Sequence, residues 1–322
     1  MTAVMGCVYS LVLFAFFVAF LVSWFRSREQ VRGYKRFGFA AGIIFAAFEL
    51  LILLVVGFEA LLSTAVIVVI ADAVGFIRIA VYTIVGIHMC RSLGYSSFPL
   101  LKPEFGVLEA GRHDDLEDEQ PGTTEFVEPG RQQAADAIIA PMERTGVDDI
   151  SMESSALDHL LAPPKIKGKR YALIVLAVAI GSIIYSSVLF LVTSPRMSDL
   201  AEQVFGEAVS GTDSGLSLLS LLIVLEFAFA EEITFRLGIQ NYLAKQLNWQ
   251  GKEYWIAIVL TAALWTLGHT GIMEPGWVKL LQVFPIGLAL GWLFRKVGTE
   301  GCILAHALFN VGMSVLTPLV FG

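Results

Sequence analysis

Charged residues are scarce in this chain of 322 residues. They form 16% of it, whereas hydrophobic residues form 56% and the mean hydropathy is +0.71. An average soluble domain carries about 25% charged residues, so the composition excludes an ordinary soluble domain and predicts a polytopic membrane protein. The sequence also lacks a basic patch interleaved with exposed aromatic residues, and we therefore expect no nucleic-acid partner.

Cysteine is equally rare. The three cysteines, Cys7, Cys90 and Cys302, lie in or beside apolar runs and share no paired spacing. This pattern argues against a disulfide framework or a cysteine-based zinc site. The first apolar run has neither a preceding basic region nor a small-residue cleavage site, so we interpret it as a retained membrane span.

Long apolar runs make up most of the sequence. Since a spanning helix needs about 20 apolar residues, we predict an all-α transmembrane bundle of about eight spans, with a catalytic helix core in the C-terminal half. The predicted spans lie near residues 3–24, 37–57, 61–90, 171–193, 215–240, 254–272, 278–295 and 302–320.

An acidic stretch separates the third and fourth spans. It has no sustained apolar period and is typical of a solvated, flexible loop. We therefore divide the chain into a three-span region at residues 1–95, an acidic loop at 96–168 and a C-terminal membrane region at 169–322. Lysine and arginine cluster near residues 26–36, 165–170, 245–252 and 295–296. This distribution predicts that the acidic loop is cytoplasmic. We expect an integral membrane protein of the plasma membrane.

The segment EFAFAEEITFR, residues 226–236, places three glutamates and an arginine at the end of an apolar run. Ionisable residues inside a membrane are costly and mark interior or water-filled sites. Glu232 and Arg236 stand four residues apart with the acid first, the favourable order for a helical ion pair. Glu231 points about 100° away from Glu232, so we expect it to be available as a general base. A simpler interpretation is that all three acids line a polar seam between helices.

Partners for Glu231 occur in two later segments. LWTLGHTG contains His269, and ILAHALFN contains His306 and Asn310 on one helical face. Glu231 and His269 are expected to hold a water molecule, with His306 and Asn310 as donors to a developing oxyanion. Glu231, His269 and His306 would also suit a divalent metal such as zinc, and the sequence leaves open whether a metal is used.

Other hydrolytic arrangements fit less well. The sequence has no HExxH zinc helix and no serine in a G-x-S-x-G turn. Cys302 lies four residues before His306, which leaves a cysteine–histidine nucleophile pair as a weaker alternative.

Three motifs together are more specific than any one of them. AEEITFRLGIQNYL, LWTLGHTG and FPIGLALGWLFRKVGTEGCILAHALFN resemble, in order and spacing, the CPBP (ABI) family of intramembrane proteases, which includes the type II CAAX prenyl endopeptidases. The family pattern is EExxxR, FxxxH and HxxxN or HxxxD, and the resemblance covers roughly residues 170–320. Trp265 occupies the position of the usual phenylalanine, an aromatic residue for an aromatic residue.

The resemblance implies an endopeptidase that acts on a peptide or lipidated protein, with membrane lipid around it. Glu231 and His269 would activate water, and His306 and Asn310 would stabilise the oxyanion. Glu232 and Arg236 would form a structural ion pair at the site. Members of the family are described both as metalloproteases and as metal-free glutamate peptidases, so the cofactor stays open.

Two other functions are compatible with the sequence. A non-catalytic membrane scaffold or immunity-type protein would retain the family fold and tolerate Glu231→Gln. A transporter would use Asp72, Arg78 and Glu226 as an ion path, but it predicts internal repeats, which the sequence does not show.

Overall fold

A computed structural model describes residues 2–56, 58–101, 168–199 and 217–321. The predicted acidic loop at 96–168 lies outside the described residues except at its two ends. The described residues all belong to one compact unit formed by residues 1–104 and 163–322.

The described chain is almost entirely helical, which confirms the all-α class. Its elements, in chain order, are α1 (Thr2–Arg26), a 3₁₀-helix (Arg32–Tyr34), α2 (Lys35–Val56), α3 (Phe58–Ser92), α4 (Gly168–Thr193), β1 (Arg196–Met197), α5 (Leu218–Glu231), a π-helix (Glu232–Gln240), α6 (Asn241–Gln246), α7 (Tyr254–Leu267), β2 (Met273–Glu274) and α8 (Gly276–Phe321). Apolar helices suit a membrane because every interior backbone N–H and C=O group is bonded within the helix.

The outward surface of these helices is apolar. Leu11 on α1 is 67% exposed, Leu54 on α2 is 68% exposed and Val192 on α4 is 78% exposed. Large apolar side chains in such positions would be unfavourable in water and are favourable against lipid hydrocarbon. The protein is an integral membrane protein.

The spans differ in part from the prediction. Among the described residues, five helical stretches are long and apolar enough to cross a membrane: Gly6–Arg26, Arg32–Leu54, Asp72–Ser92, Gly168–Thr193 and Gly276–Leu316. The predicted span at 215–240 is instead divided between α5 and the π-helix. The predicted span at 254–272 is the shorter helix α7, which ends at Leu267 before a turn that contains His269 and Gly271, whose φ is 83°.

The predicted seventh and eighth spans are the two parts of α8, and a break at Gly298 separates them. Gly298 has φ 76° and ψ −172°, a conformation that residues with a Cβ rarely adopt. The break is buried, and Thr299 donates its backbone N–H and its hydroxyl to the carbonyl of Ser97. Glu300 accepts the N–H groups of Leu100 and Leu101. The connection predicted as a loop between two spans is therefore held inside the fold by the segment after α3.

Close helix packing brings the motifs together. The first part of α8 packs on α7 through Gly287 and Gly291, the small residues four apart in this helix. A Cβ on Gly291 would stand 2.7 Å from Cγ2 of Ile258, and a Cβ on Gly287 would stand 3.0 Å from Cβ of Ala262. At the other end of α7, β1 pairs antiparallel with β2, and Arg196 contacts Glu274 at 2.9 Å.

Gly291→Leu is expected to destabilise the protein, because the new side chain would overlap Ile258 on α7. Overpacking of this kind costs about 1–3 kcal/mol. The measurement is the thermal unfolding midpoint in detergent. Gly181→Leu on α4 is the matched control, since nothing lies within 4 Å of a Cβ at Gly181. Equal midpoints for the two variants would contradict the packing described here.

Candidate active site

The EExxxR motif lies where α5 passes into the π-helix. Ser217 caps the start of α5, and its hydroxyl accepts the N–H of Ser220 at 3.0 Å. The helix ends at Glu231, and all nine residues from Glu232 to Gln240 are buried. Widened π turns are rare and occur often at functional sites. Hydropathy does not distinguish this geometry from an α-helix, so the sequence predicts only a helix here.

The second glutamate is fully buried in a charged network. Oε1 of Glu232 lies 3.2 Å from NH1 of Arg236, and the two side chains are 0% and 1% exposed. The same oxygen lies 2.8 Å from Nδ1 of His306 on α8. The guanidinium carbon of Arg236 stands 4.3 Å from the centre of the Trp265 ring on α7, within cation–π range. Glu232 and Arg236 thus connect the π-helix to both other motif helices.

The first glutamate has a different environment. Its side chain is 24% exposed, and its Oε2 accepts the indole N–H of Trp265 at 2.7 Å. Oε1 lies 4.0 Å from Nε2 of His269, and Oε2 lies 3.9 Å from Nε2 of His306. Glu231 therefore faces both histidines without a direct hydrogen bond to either of them.

The hydrogen bond from the Trp265 indole to Glu231 was not predicted from the sequence. From the sequence, Trp265 was interpreted only as an aromatic residue in place of the usual phenylalanine. A phenylalanine side chain has no N–H, so it could not hold the Glu231 carboxylate as Trp265 does. The tryptophan in place of phenylalanine was the available signal, since buried indole groups usually find a hydrogen-bond acceptor.

The turn after α7 fixes the proton position on His269. Its Nδ1 lies 2.9 Å from the carbonyl oxygen of Trp265. A carbonyl can only accept, so Nδ1 carries the proton and the neutral ring keeps a lone pair on Nε2. That lone pair is on the nitrogen nearest Oε1 of Glu231. A gap of 4.0 Å is too long for a direct hydrogen bond, but one water molecule can bond to both atoms across it.

The third motif supplies hydrogen-bond donors. Because Nδ1 of His306 donates to Glu232, its Nε2 can donate only when the ring is protonated on both nitrogens. Asn310 lies one turn further along α8 and donates from its amide nitrogen to the Val224 carbonyl at 3.2 Å. The amide has two hydrogens, so the second is left for another acceptor.

One cavity of about 420 Å³ is lined by Glu231, His269, His306 and Asn310. The four residues proposed for catalysis thus come together from α5, α8 and the turn after α7. Four further polar residues line the same cavity and were not predicted: Tyr9, Lys279, Gln282 and Ser314. Lys279 was overlooked because it stands near the start of a predicted span, where a lysine usually marks the helix end. Tyr9 was overlooked because α1 lies outside the region of resemblance.

The cysteine alternative has no geometric support. Cys302 is fully buried, and its thiol donates to the carbonyl of Leu290 at 3.3 Å. A thiol held in this way packs the two parts of α8 together. It is not directed at His306 as a nucleophile.

The donor atoms do not form a metal site in this arrangement. Among the described residues, no group of three His, Cys, Asp or Glu side chains is placed to hold a metal ion. Nε2 of His269 lies 4.0 Å from Oε1 of Glu231, and Nε2 of His306 lies 3.9 Å from its Oε2. A metal held by these three residues stays a prediction, and the chemistry below uses the side chains alone.

Comparison with known proteins supports the resemblance. Residues 213–312 match the family model "Type II CAAX prenyl endopeptidase Rce1-like", which covers all three motifs. This match confirms the resemblance stated from the motifs.

A curated relative is the Sporulation-killing factor biosynthesis protein SkfC of Bacillus subtilis (strain 168). It is 30% identical over 97 residues, which are 30% of this chain and 18% of the relative. The chain thus spans about a fifth of that protein. No solved structure matches.

The adjacent glutamates provide a matched test of the buried network. Glu232→Gln is expected to lower the unfolding midpoint strongly, because it leaves Arg236 buried without its countercharge, at a cost of about 3–5 kcal/mol. Glu231→Gln should change the midpoint little, since the amide oxygen still accepts the Trp265 N–H. Thermal unfolding in detergent measures both. A destabilisation of similar size at Glu231 would contradict the assignment of Glu232 as the structural acid.

Proposed function

We propose that the protein is an intramembrane endopeptidase in which Glu231 and His269 activate water. The observation that carries this proposal is the pair of unshared acceptors, Oε1 of Glu231 and Nε2 of His269, 4.0 Å apart in a cavity. Two acceptors at this separation hold a water molecule by both of its hydrogens. Its oxygen lone pair is then free to attack a carbonyl carbon.

The reaction follows from these positions. The water oxygen bonds to the carbon of the scissile peptide, and its proton passes to Glu231. The negative charge on the former carbonyl oxygen is stabilised by the second amide hydrogen of Asn310 and, when both ring nitrogens of His306 carry hydrogen, by its Nε2–H. Glu231 then gives the proton to the peptide nitrogen, the carbon–nitrogen bond breaks, and an amine and a carboxylic acid leave.

The proposed substrate is a lipidated protein with a CAAX-type C-terminus, from which the C-terminal tripeptide is removed. The family-model match at residues 213–312 supports this substrate class, and the apolar exterior of the helices is compatible with a lipidated substrate. We further propose the plasma membrane as the location, with the acidic loop on the cytoplasmic side. A divalent metal stays outside the proposed mechanism.

Glu231→Gln is expected to abolish cleavage, because an amide cannot take the proton of water. General-base contributions are typically about 10²–10⁴-fold. The measurement is release of the tripeptide from a farnesylated CAAX peptide by purified protein, with and without a chelator. Glu274→Gln is the matched control, since Glu274 makes an exposed ion pair with Arg196.

Three results would count against parts of this proposal. Cleavage retained in Glu231→Gln would exclude the glutamate mechanism, and cleavage lost with chelator would show that a metal takes part. If the native chain does not cleave and Glu231→Gln leaves the cellular phenotype intact, the non-catalytic scaffold becomes the better explanation.

Trp265→Phe tests the indole hydrogen bond. The phenyl ring still covers Arg236, but Glu231 loses the donor that orients it, so kcat should fall about tenfold with little change in KM. A hydrogen bond to a charged group contributes about 1.5–3 kcal/mol. The unfolding midpoint should stay close to that of the native chain. A loss confined to KM, or a loss that follows the midpoint, would show that Trp265 is only a packing residue.

A further inference from the structure

Lys279 is the one lysine or arginine side chain among the described residues that line the cavity. It lies in the first turns of α8, on the same cavity wall as Gln282, and its Nζ donates to Oε1 of Gln282 at 2.8 Å. Gln282 is 2% exposed, so the amide that holds the ammonium group is itself fixed by packing. The hydrogen bond to Gln282 therefore fixes the position of the Lys279 ammonium group at the cavity wall.

Among the described residues, Lys279 forms no contact ion pair with a carboxylate. The carboxylate in the cavity lining is Glu231, which already accepts from Trp265 and faces two histidines. A charge inside a membrane protein normally pairs with an opposite charge or marks a binding path. Lys279 has two ammonium hydrogens left after its bond to Gln282, and they can bind an anion that enters the cavity.

The anion can be identified from the proposed reaction, on which this inference rests. A peptide substrate brings carboxylates of two kinds, the free α-carboxylate at its C-terminus and the side chains of Asp and Glu. A cavity of about 420 Å³ suits a short chain end, because an internal acidic residue would require the peptide to enter and leave. Lys279 lies on the cavity wall with Glu231 and His269, within reach of a tail whose scissile bond lies at the activated water.

We propose that Lys279, held by Gln282, binds the free C-terminal carboxylate of the peptide substrate. The part of the peptide that leaves as the amine product then lies toward the N-terminal end of α8. The reach from Lys279 to the water between Glu231 and His269 sets how many residues are released. The protein would thus trim tails from chain ends and discriminate against internal peptide bonds.

Binding can be measured without cleavage in the Glu231→Gln background. The probe is a fluorescent, farnesylated CAAX peptide, either with a free C-terminal carboxylate or with a C-terminal amide. We expect the amide to bind at least about tenfold more weakly, the loss of one charged contact. Adding Lys279→Gln should lower the affinity for the acid peptide to that for the amide peptide and leave the affinity for the amide peptide unchanged. Lys279→Arg should retain the preference for the acid peptide.

Two controls separate the sources of the effect. Lys296→Gln removes an exposed lysine from the same helix and should alter neither affinity. An amide peptide with glutamate as its last residue tests an acidic side chain in place of the α-carboxylate. Tight, Lys279-dependent binding of that peptide would overturn the assignment to the chain end.

Other outcomes also decide the question. Any of three results would overturn the carboxylate site. The acid and amide peptides could bind with equal affinity, Lys279→Gln could weaken the binding of both equally, or neither peptide could bind. Native protein that cleaves acid and amide peptides equally would refute this site and leave the peptidase proposal standing. Carboxylate-dependent binding without cleavage by the native chain would support the site and refute the peptidase.

Discussion

The buried carboxylate of Glu232 is the interaction on which the rest of the site depends. It is completely removed from solvent, and one oxygen serves both Arg236 and His306. Because the environment is apolar, an unpaired charge here would be costly, so the carboxylate holds the π-helix and the second part of α8 in one arrangement. Arg236 completes it by lying over the ring of Trp265.

That arrangement separates the tasks of two adjacent glutamates. Glu232 is enclosed by charges and cannot reach a substrate, whereas Glu231 opens to the cavity and is oriented by the same tryptophan that covers Arg236. A single side chain, Trp265, thus contacts both the structural pair and the proposed base. The separation explains why neighbouring residues of the same type should respond differently to the same substitution.

The cavity draws on more of the chain than the region that matches the family model. Tyr9 lies on α1, far outside residues 213–312, and still lines the cavity with Glu231. The segment after α3 holds the break at Gly298 and so sets where the second part of α8 begins. The N-terminal helices therefore help to form the site, although the division into regions 1–95 and 169–322 stays a prediction.

Local patterns in the sequence determined the helical class, the positions of the apolar runs, the four-residue spacing of Glu232 and Arg236, and the choice of Glu231, His269, His306 and Asn310. The first three depend on residues close together in the chain, and the four site residues were chosen from three short motifs taken together. Tertiary structure alone decided the indole bond to Glu231, the bond from His306 to Glu232, the buried break at Gly298 and the place of Lys279 in the cavity. These contacts join separate helices, and Glu232 and His306 stand 74 positions apart in the chain. They depend on how each helix is rotated and shifted against its neighbours, which side-chain packing fixes and hydropathy does not.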